Sequence, residues 1–367
     1  MAVSGGRTLI PITALIASVL CAVLLLQQVE SAYQRPKEVQ TERPVIGIVT
    51  IPEAGCLHFG DQVVVSSNAR WLQAGGTRVV PIFYDSTPEE LDYILNRVNG
   101  VFWSGGPVFF NPHTESHSGS LYLRTTEYIL KHVMRENRRG NYFPLWGTCL
   151  GFERMVQLVA EDAEASIVKP VDAENYAINL GFTDVAFESR LFRSMNAELF
   201  KEVASPATRL AFNNHGLGIH PDYFHNITNL SRHFSVLSVD LDRHGKPFVS
   251  TVEGKRYPLY GSQWHPEKPP WEWSPDWVLS HTNMAIQLSN YFGRFFVEEC
   301  RYNKNKFESP ELEDKLLLHN WNTIPASAIL SIDPTVFIPF MEYYCIDRSK
   351  VPSYDFITKR SKQVSSA

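Results

Sequence analysis

The five cysteines of this chain include no C-x-x-C pair, which makes a structural zinc site or a disulfide-dense scaffold a poor fit. There is no excess of base either: 34 Lys and Arg stand against 39 Asp and Glu, a formal net charge of −5. A protein that coats nucleic acid is usually basic, so the balance argues against that class. No internal repeat is visible, and beyond the first 32 residues no apolar run is long enough to cross a bilayer. What remains is ordinary globular composition. With 367 residues, 44% hydrophobic and 20% charged, the chain can bury a sizeable core and is not disordered throughout. The 12 histidines leave acid-range chemistry open without deciding it.

Residues 1–32 stand apart. Arg7 is the only charge before Glu30, and Leu9 to Leu26 is mostly apolar, interrupted by Pro11, Thr13 and Ser18. A charged start, an apolar run and the small residues Ser31-Ala32 predict a secretory signal peptide; the alternative is a signal anchor, because the run approaches the length of a membrane span. Removing it takes away one base and one acid, so the net charge is unchanged. The secretory route gives meaning to two N-x-[ST] sequons, Asn226-Ile227-Thr228 and Asn229-Leu230-Ser231. Their polar neighbours suit a surface loop. Cys21 leaves with the signal, and among the remaining four cysteines Cys300 and Cys345 are a candidate bridge.

Residues 33–43 read as a polar linker. Strand and helix signals then alternate. Val45 to Ile51, Val79 to Phe83, Val101 to Trp103 and Tyr142 to Trp146 are short apolar strands. Ser66 to Ala74, Pro88 to Val98 and Leu121 to Val133 have helical spacing, and a further helix starts near Leu150. This order predicts parallel strands under crossover helices, with both faces of the sheet covered. From about 165 to 263 the pattern shifts to short strands and turns, the best being Phe248–Val252 and Pro258–Gln263. A helix from about Thr282 to Val297 follows. The expected architecture is α/β: a central, mostly parallel sheet flanked by helices, flavodoxin-like, with additional short strands in the second half. One domain over 44–345 and a polar, mobile tail over 346–367 complete it.

Gly147-Thr148-Cys149-Leu150-Gly151 falls between a strand and a helix, in the form G-x-nucleophile-x-G. A strand that reverses into a helix within a few residues strains the central residue, and flanking glycines give clearance. The turn lifts the thiol to a helix N-terminus, whose positive end favours thiolate, at the sheet edge where open α/β folds bind ligands. A buried, inert cysteine is the competing reading. Cysteine catalysis needs a histidine nearby in space. His265 follows the strand ending Tyr260-Gly261-Ser262-Gln263-Trp264, on the same rim. Glu267, two residues on, is placed to orient its imidazole. The N–H of Leu150 and that of Gly106, after a neighbouring strand and beside Gly105, would form an oxyanion hole.

These two segments together resemble the class I glutamine amidotransferase superfamily, with its G-x-C-x-G elbow and late H-P-E segment. The finer text is similar to the γ-glutamyl hydrolase family. It includes Gly147 through Glu153, Tyr260 through Lys268, Arg43-Pro44-Val45-Ile46-Gly47, Ala74 through Pro81 and Glu272-Trp273. The resemblance implies a cysteine peptidase cleaving γ-linked glutamate tails of folates and antifolates through a thioester. It also implies a secreted, lysosomal or vacuolar setting, no cofactor and no metal. No nucleic-acid partner and no lasting membrane insertion are expected, and a homodimer is compatible. It further suggests His215, in Asn213-Asn214-His215-Gly216, as a substrate contact, with Gly105 lining the site. Glu153 is either a substrate contact or a partner of the helix dipole. Lys268 is either an attractor of a substrate carboxylate or, more simply, a solvated lysine. His113, His117 and Ser118 extend the loop after Gly105-Gly106 and would reshape the pocket. A glutaminase feeding a synthetase and a catalytically silent binding protein are the competing functions.

Overall fold

The structure, a computed structural model, describes residues 35–52, 56, 58–108, 116–336 and 338–351. The signal-peptide segment, His113 and the end of the polar tail lie outside the described residues.

The chain opens with β1 (Val45–Val49), β2 (Gln62–Val65), α1 (Ser66–Ala74), β3 (Arg78–Ile82), α2 (Pro88–Leu95), β4 (Gly100–Trp103) and α3 (His117–Arg138). It continues through β5 (Leu145–Thr148), α4 (Leu150–Ala160), β6 (Val168–Ile178), α5 (Ala197–Ala204), β7 (Ala211–Ile219), α6 (Pro221–Asn226) and α7 (Thr228–His233). Then come β8 (Phe234–Leu241), β9 (Pro247–Gly254), β10 (Leu259–Ser262), α8 (Asn283–Cys300), α9 (Pro310–Asp314), β11 (Thr323–Pro325), α10 (Ala326–Ile332) and β12 (Glu342–Ile346). Local chemistry sets several of these ends. Thr87 and Glu90 form a reciprocal capping box ahead of Pro88 at the start of α2. Ser116 and Thr282 cap α3 and α8 by accepting main-chain N–H groups.

Seven strands form the main sheet in the order β3-β1-β4-β5-β10-β9-β8. The first five run parallel; β9 and β8 are antiparallel to their neighbours. This is the expected α/β architecture. Its strands are buried on both faces, and alternate residues divide between two cores. Val45, Val49, Val101 and Leu145 pack with α2, α3 and α4 residues such as Leu91, Ile129 and Met155. Ile46, Ile48, Phe102 and Trp146 pack with Trp71 of α1 and Phe292 and Phe296 of α8. The parallel strands therefore end on one rim, sandwiched between helical layers.

Two smaller sheets flank this body: the β6–β7 ribbon, and β11-β12-β2. The segment expected as a polar linker docks on the end of α8, where the N–H groups of Gln40 and Thr41 donate to the Arg301 carbonyl. At the other end, order continues past the expected domain limit: β12 runs to Ile346, and a 3-10 turn spans Arg348–Lys350.

The proposed Cys300–Cys345 bridge is not formed. Cys345 pairs with Cys56, across 289 residues of sequence, and Cys300 is buried as a free thiol. The reason is register. β12 lies antiparallel to β2 with Cys345 opposite Val63, which brings it to the loop after β1, while Cys300 ends α8 in the other core. Cys345→Ser is expected to lower the unfolding free energy by about 2–4 kcal/mol, visible as a fall in Tm under non-reducing conditions; an unchanged Tm would show that the β2–β12 pairing holds without the bridge.

The sequons do not sit on a loop. Asn226 ends α6 and is exposed, whereas Asn229 lies half-buried in α7. No helix among the described residues is long and apolar enough to cross a membrane.

Candidate active site

The turn from β5 into α4 has the strain expected of a nucleophile elbow. Cys149 sits at φ 52°, ψ −111°, a left-handed conformation that costs a non-glycine residue on the order of 1–3 kcal/mol. Its N–H donates to the Ser262 carbonyl at 2.8 Å, and its carbonyl accepts from Glu153 N–H at 2.9 Å. The chain is thus held on both sides by β10 and by α4. The turn needs its glycines for space. A Cβ on Gly147 would lie 2.5 Å from the Gly151 carbonyl oxygen, and one on Gly151 would overlap the Trp103 main chain.

His265 comes from the end of β10. Its N–H donates to the Phe212 carbonyl at 2.8 Å, fixing it to β7. Its Nδ1 lies 2.7 Å from Glu267 Oε1, with both side chains buried. Gly105, after β4, is where nucleophile and imidazole meet. A Cβ there would sit 2.9 Å from His265 Cε1, 3.3 Å from Cys149 Cβ and 3.7 Å from Cys149 Sγ. Three chain segments far apart in sequence therefore converge on one point of the sheet rim. Gly106 packs beside Leu150, and among the described residues no main-chain acceptor takes the N–H of either.

Cys149, Leu150, Gly105, Gly106 and His265 line one cavity of about 780 Å³. His215 lines it from β7. It is buried, with Nδ1–H donating to the Leu217 carbonyl at 2.7 Å and Nε2 3.0 Å from the Asn213 amide. Burial lowers its pKa to about 3, so the imidazole is neutral. Asn68, Glu174, Asn214 and the C-terminal residues Val336, Pro339 and Phe340 also line the cavity. Asn214 belongs to the segment quoted around His215; nothing in the sequence pattern marked the others, since each arrives from an element without a motif. His117 and Ser118 lie in the first turn of α3 rather than in an extended loop.

The electrostatics correct two expectations. Burial pushes the Cys149 thiol well above its ordinary value, with the Glu153 charge adding to the rise. The N–H of Leu150 pulls the other way without overcoming them. The helix start alone does not make a thiolate here, so ionisation needs a proton acceptor. Lys268 is not solvated. It is 1% exposed, with Nζ 2.9 Å from Ser67 Oγ, 3.5 Å from Glu267 Oε1 and 3.9 Å from Glu272 Oε1. Burial by itself would raise Glu267, but the His265 and Lys268 charges hold it below the usual carboxylate range.

Glu153 lies in the first turn of α4, where a charge would complement the dipole. Burial instead raises its pKa to about 8, against the pull of a hydrogen bond donated by Gln263 Nε2 at 2.8 Å. The folded state thus holds a proton on Glu153 that the unfolded chain gives up near pH 4.5. Stability is lost as pH rises through that interval, up to about 8. The expected result is that Glu153→Gln, which keeps the neutral shape, loses less Tm between pH 5 and 8 than the wild type does. Parallel Tm–pH curves would mean that Glu153 is ionised throughout.

A family model described as Peptidase C26 matches residues 44–267, a span that contains Cys149 and His265 and ends on Glu267. The chain belongs to the peptidase C26 family. Its relatives carry a consistent description. It is 37% identical over 281 residues to gamma-glutamyl hydrolase B of Dictyostelium discoideum, covering 76% of this chain and 78% of that protein. It is 31% identical over 300 residues to gamma-glutamyl hydrolase of Homo sapiens, covering 81% and 90%. With probable gamma-glutamyl hydrolase 3 of Arabidopsis thaliana it shares 32% identity over 288 residues, covering 75% and 78%. Beyond the matched span this peptidase C26 chain adds α8 and a C-terminal segment whose Val336, Pro339 and Phe340 line the cavity.

Proposed function

We propose that this C26 peptidase hydrolyses γ-glutamyl bonds of folylpoly-γ-glutamates and their antifolate analogues. The observation that carries the reading is the meeting of the Cys149 thiol and the Glu267-held imidazole of His265 around Gly105, in a chain whose relatives are γ-glutamyl hydrolases. No cofactor enters the chemistry.

His265 accepts the thiol proton as Cys149 sulfur attacks the γ-carbonyl carbon. Glu267 holds the imidazole tautomer and stabilises the imidazolium. The N–H groups of Leu150 and Gly106 receive the oxyanion, each such donor being worth about 3 kcal/mol of barrier. The tetrahedral intermediate collapses, the C–N bond breaks, and His265 returns its proton to the leaving amine. Water, deprotonated by His265, then attacks the thioester carbonyl and releases Cys149 and a γ-carboxylate. The raised thiol pKa suits this order, because proton and nucleophile move together only when substrate is in place. His215, Gly105 and Glu153 face the substrate in this reading, with Glu153 neutral and able to donate.

Residues 44–345 act as one catalytic unit. The signal-like segment 1–32, the sequons at Asn226 and Asn229 and the Cys56–Cys345 bridge support passage through the secretory pathway to a lysosome, vacuole or cell exterior. Mass spectrometry of folate pentaglutamate incubated with the enzyme tests the activity. Shortened glutamate tails are expected; ammonia released from free glutamine with the pentaglutamate intact would instead mark a glutaminase.

A further inference from the structure

One corner of the catalytic cavity has no role in the steps above. Helix α1 starts there, and Ser66, Ser67 and Asn68 in its first turn are each 2% exposed or less. No side chain caps this end, and its first turn holds no acidic residue. A helix start leaves its leading N–H groups without intrahelical acceptors and carries partial positive charge. Asn68 lines the cavity with Cys149 and His265. Its Oδ1 is buried with no hydrogen-bond partner, an arrangement that native structures rarely leave unanswered.

Lys268 closes the corner from the other side, with Nζ on Ser67 Oγ at 2.9 Å and the Phe340 ring 3.9 Å away. Glu267 and Glu272 balance its charge, so the corner selects by directed N–H groups more than by net charge. Asn68 and Lys268 line the same cavity as Cys149 and His265, which places the corner beside the reacting atoms. An uncapped helix start, an ammonium and an amide with an unpartnered oxygen together suit a carbon that bears both a carboxylate and an N–H.

We infer that Asn68, at the start of α1 beside Lys268, is a specificity-determining residue that reads the α-carbon of the glutamate whose γ-carbonyl Cys149 attacks. The carboxylate sits on the α1 N–H groups, Asn68 Nδ2 and Lys268, and the α-nitrogen donates to Asn68 Oδ1. The inference rests on the γ-glutamyl reading. It adds that the enzyme recognises γ-linkage by measuring from the scissile carbonyl to the α-substituents.

The test compares two amides of one arylamine: an N-acyl-γ-glutamyl amide, and its N-acyl-4-aminobutyryl counterpart, which lacks only the α-carboxylate. Wild type is expected to favour the first by about 100-fold or more in kcat/KM, since a site built for a polar group rejects a substrate lacking it. Asn68→Leu and Asn68→Asp are each expected to lose about tenfold or more on the γ-glutamyl substrate. The loss falls mainly in KM. The counterpart, which keeps the α-N–H but lacks the carboxylate, is changed little by Asn68→Asp, which retains an acceptor oxygen, and loses less than the γ-glutamyl substrate in Asn68→Leu, so the preference falls in both variants. Equal losses on both substrates would reduce Asn68 to a structural residue and overturn the inference, as would a wild type that does not discriminate. If wild type cleaves neither amide, the γ-glutamyl reading fails by itself, and calorimetry then decides. Wild-type preference for N-acetyl-L-glutamate over 4-acetamidobutyrate, lost in Asn68→Leu, keeps the corner as assigned; equal binding overturns it.

Discussion

Cys149→Ala abolishes turnover of γ-glutamyl substrates while leaving the melting temperature near that of the wild type. The loss is expected on the order of 10⁶-fold, the scale seen when a hydrolase of triad type loses its nucleophile or base. The fold is expected to survive for two reasons. Cys149 is a free cysteine, so its removal breaks no disulfide, and alanine at φ 52° has the same backbone strain that cysteine already has. His265→Asn is expected to cost a similar amount, and the double variant scarcely more, because thiol and imidazole act as one unit. Glu267→Gln is expected to cost less, about 10²–10⁴-fold, because it removes orientation and imidazolium stabilisation but leaves nucleophile and base in place. Steady-state kinetics on folate pentaglutamate with thermal melts for each variant provides the check. Appreciable residual turnover in Cys149→Ala rejects the thioester mechanism, and a strongly additive double variant rejects the cooperation of the pair.

Gly151→Ala is expected to destabilise the protein by about 3 kcal/mol or more, a fall of several degrees in Tm. Two effects oppose each other at this position. Gly151 is the second residue of α4, and alanine in a helix interior is favoured over glycine by about 1 kcal/mol. Against that, the new methyl would overlap the Trp103 carbonyl oxygen and Cβ, which are main chain and near-main-chain atoms of β4 and cannot rotate away. Overpacking wins because both partners are rigid: β4 is hydrogen-bonded to β1 on one side and β5 on the other. The displacement would reach the catalytic rim as well, since Trp103 leads directly into Ser104-Gly105 and the Gly151 N–H donates to the Ser104 carbonyl. Activity is therefore expected to fall along with stability. A Tm equal to or above the wild-type value would show that β4 and α4 are not in close approach.

The readable parts of this protein share a cause. The strands of the parallel sheet are short apolar runs because both of their faces are covered, and α1 is bounded by Gly75-Gly76, so both were visible as local signals. Cys149 was legible because a tight strand-to-helix reversal needs glycines at fixed offsets, and that is a steric rule of neighbouring residues. The β6–β7 ribbon was not legible. Val168–Ile178 has an irregular burial pattern and two register shifts against β7, which erase the period-two signal. β2 is four residues, all buried, without alternation. Lys268 was misread because a lysine next to Pro-Glu has no local reason to be buried; its partners Ser67, Glu272 and Phe340 come from the start of α1, the turn beyond His-Pro-Glu and the C-terminal segment.

From its amino acids alone, the chain dictated an α/β sheet, a strained cysteine at the start of a helix, and a histidine with its carboxylate at the end of a later strand. Those follow from steric and hydrophobic periodicities acting over a few residues. Tertiary structure alone decided which cysteine Cys345 meets, that burial raises the Glu153 carboxyl and encloses Lys268, and that the C-terminal segment walls the cavity. Each of these depends on register, enclosure or desolvation, which are set by elements far apart in sequence once they pack.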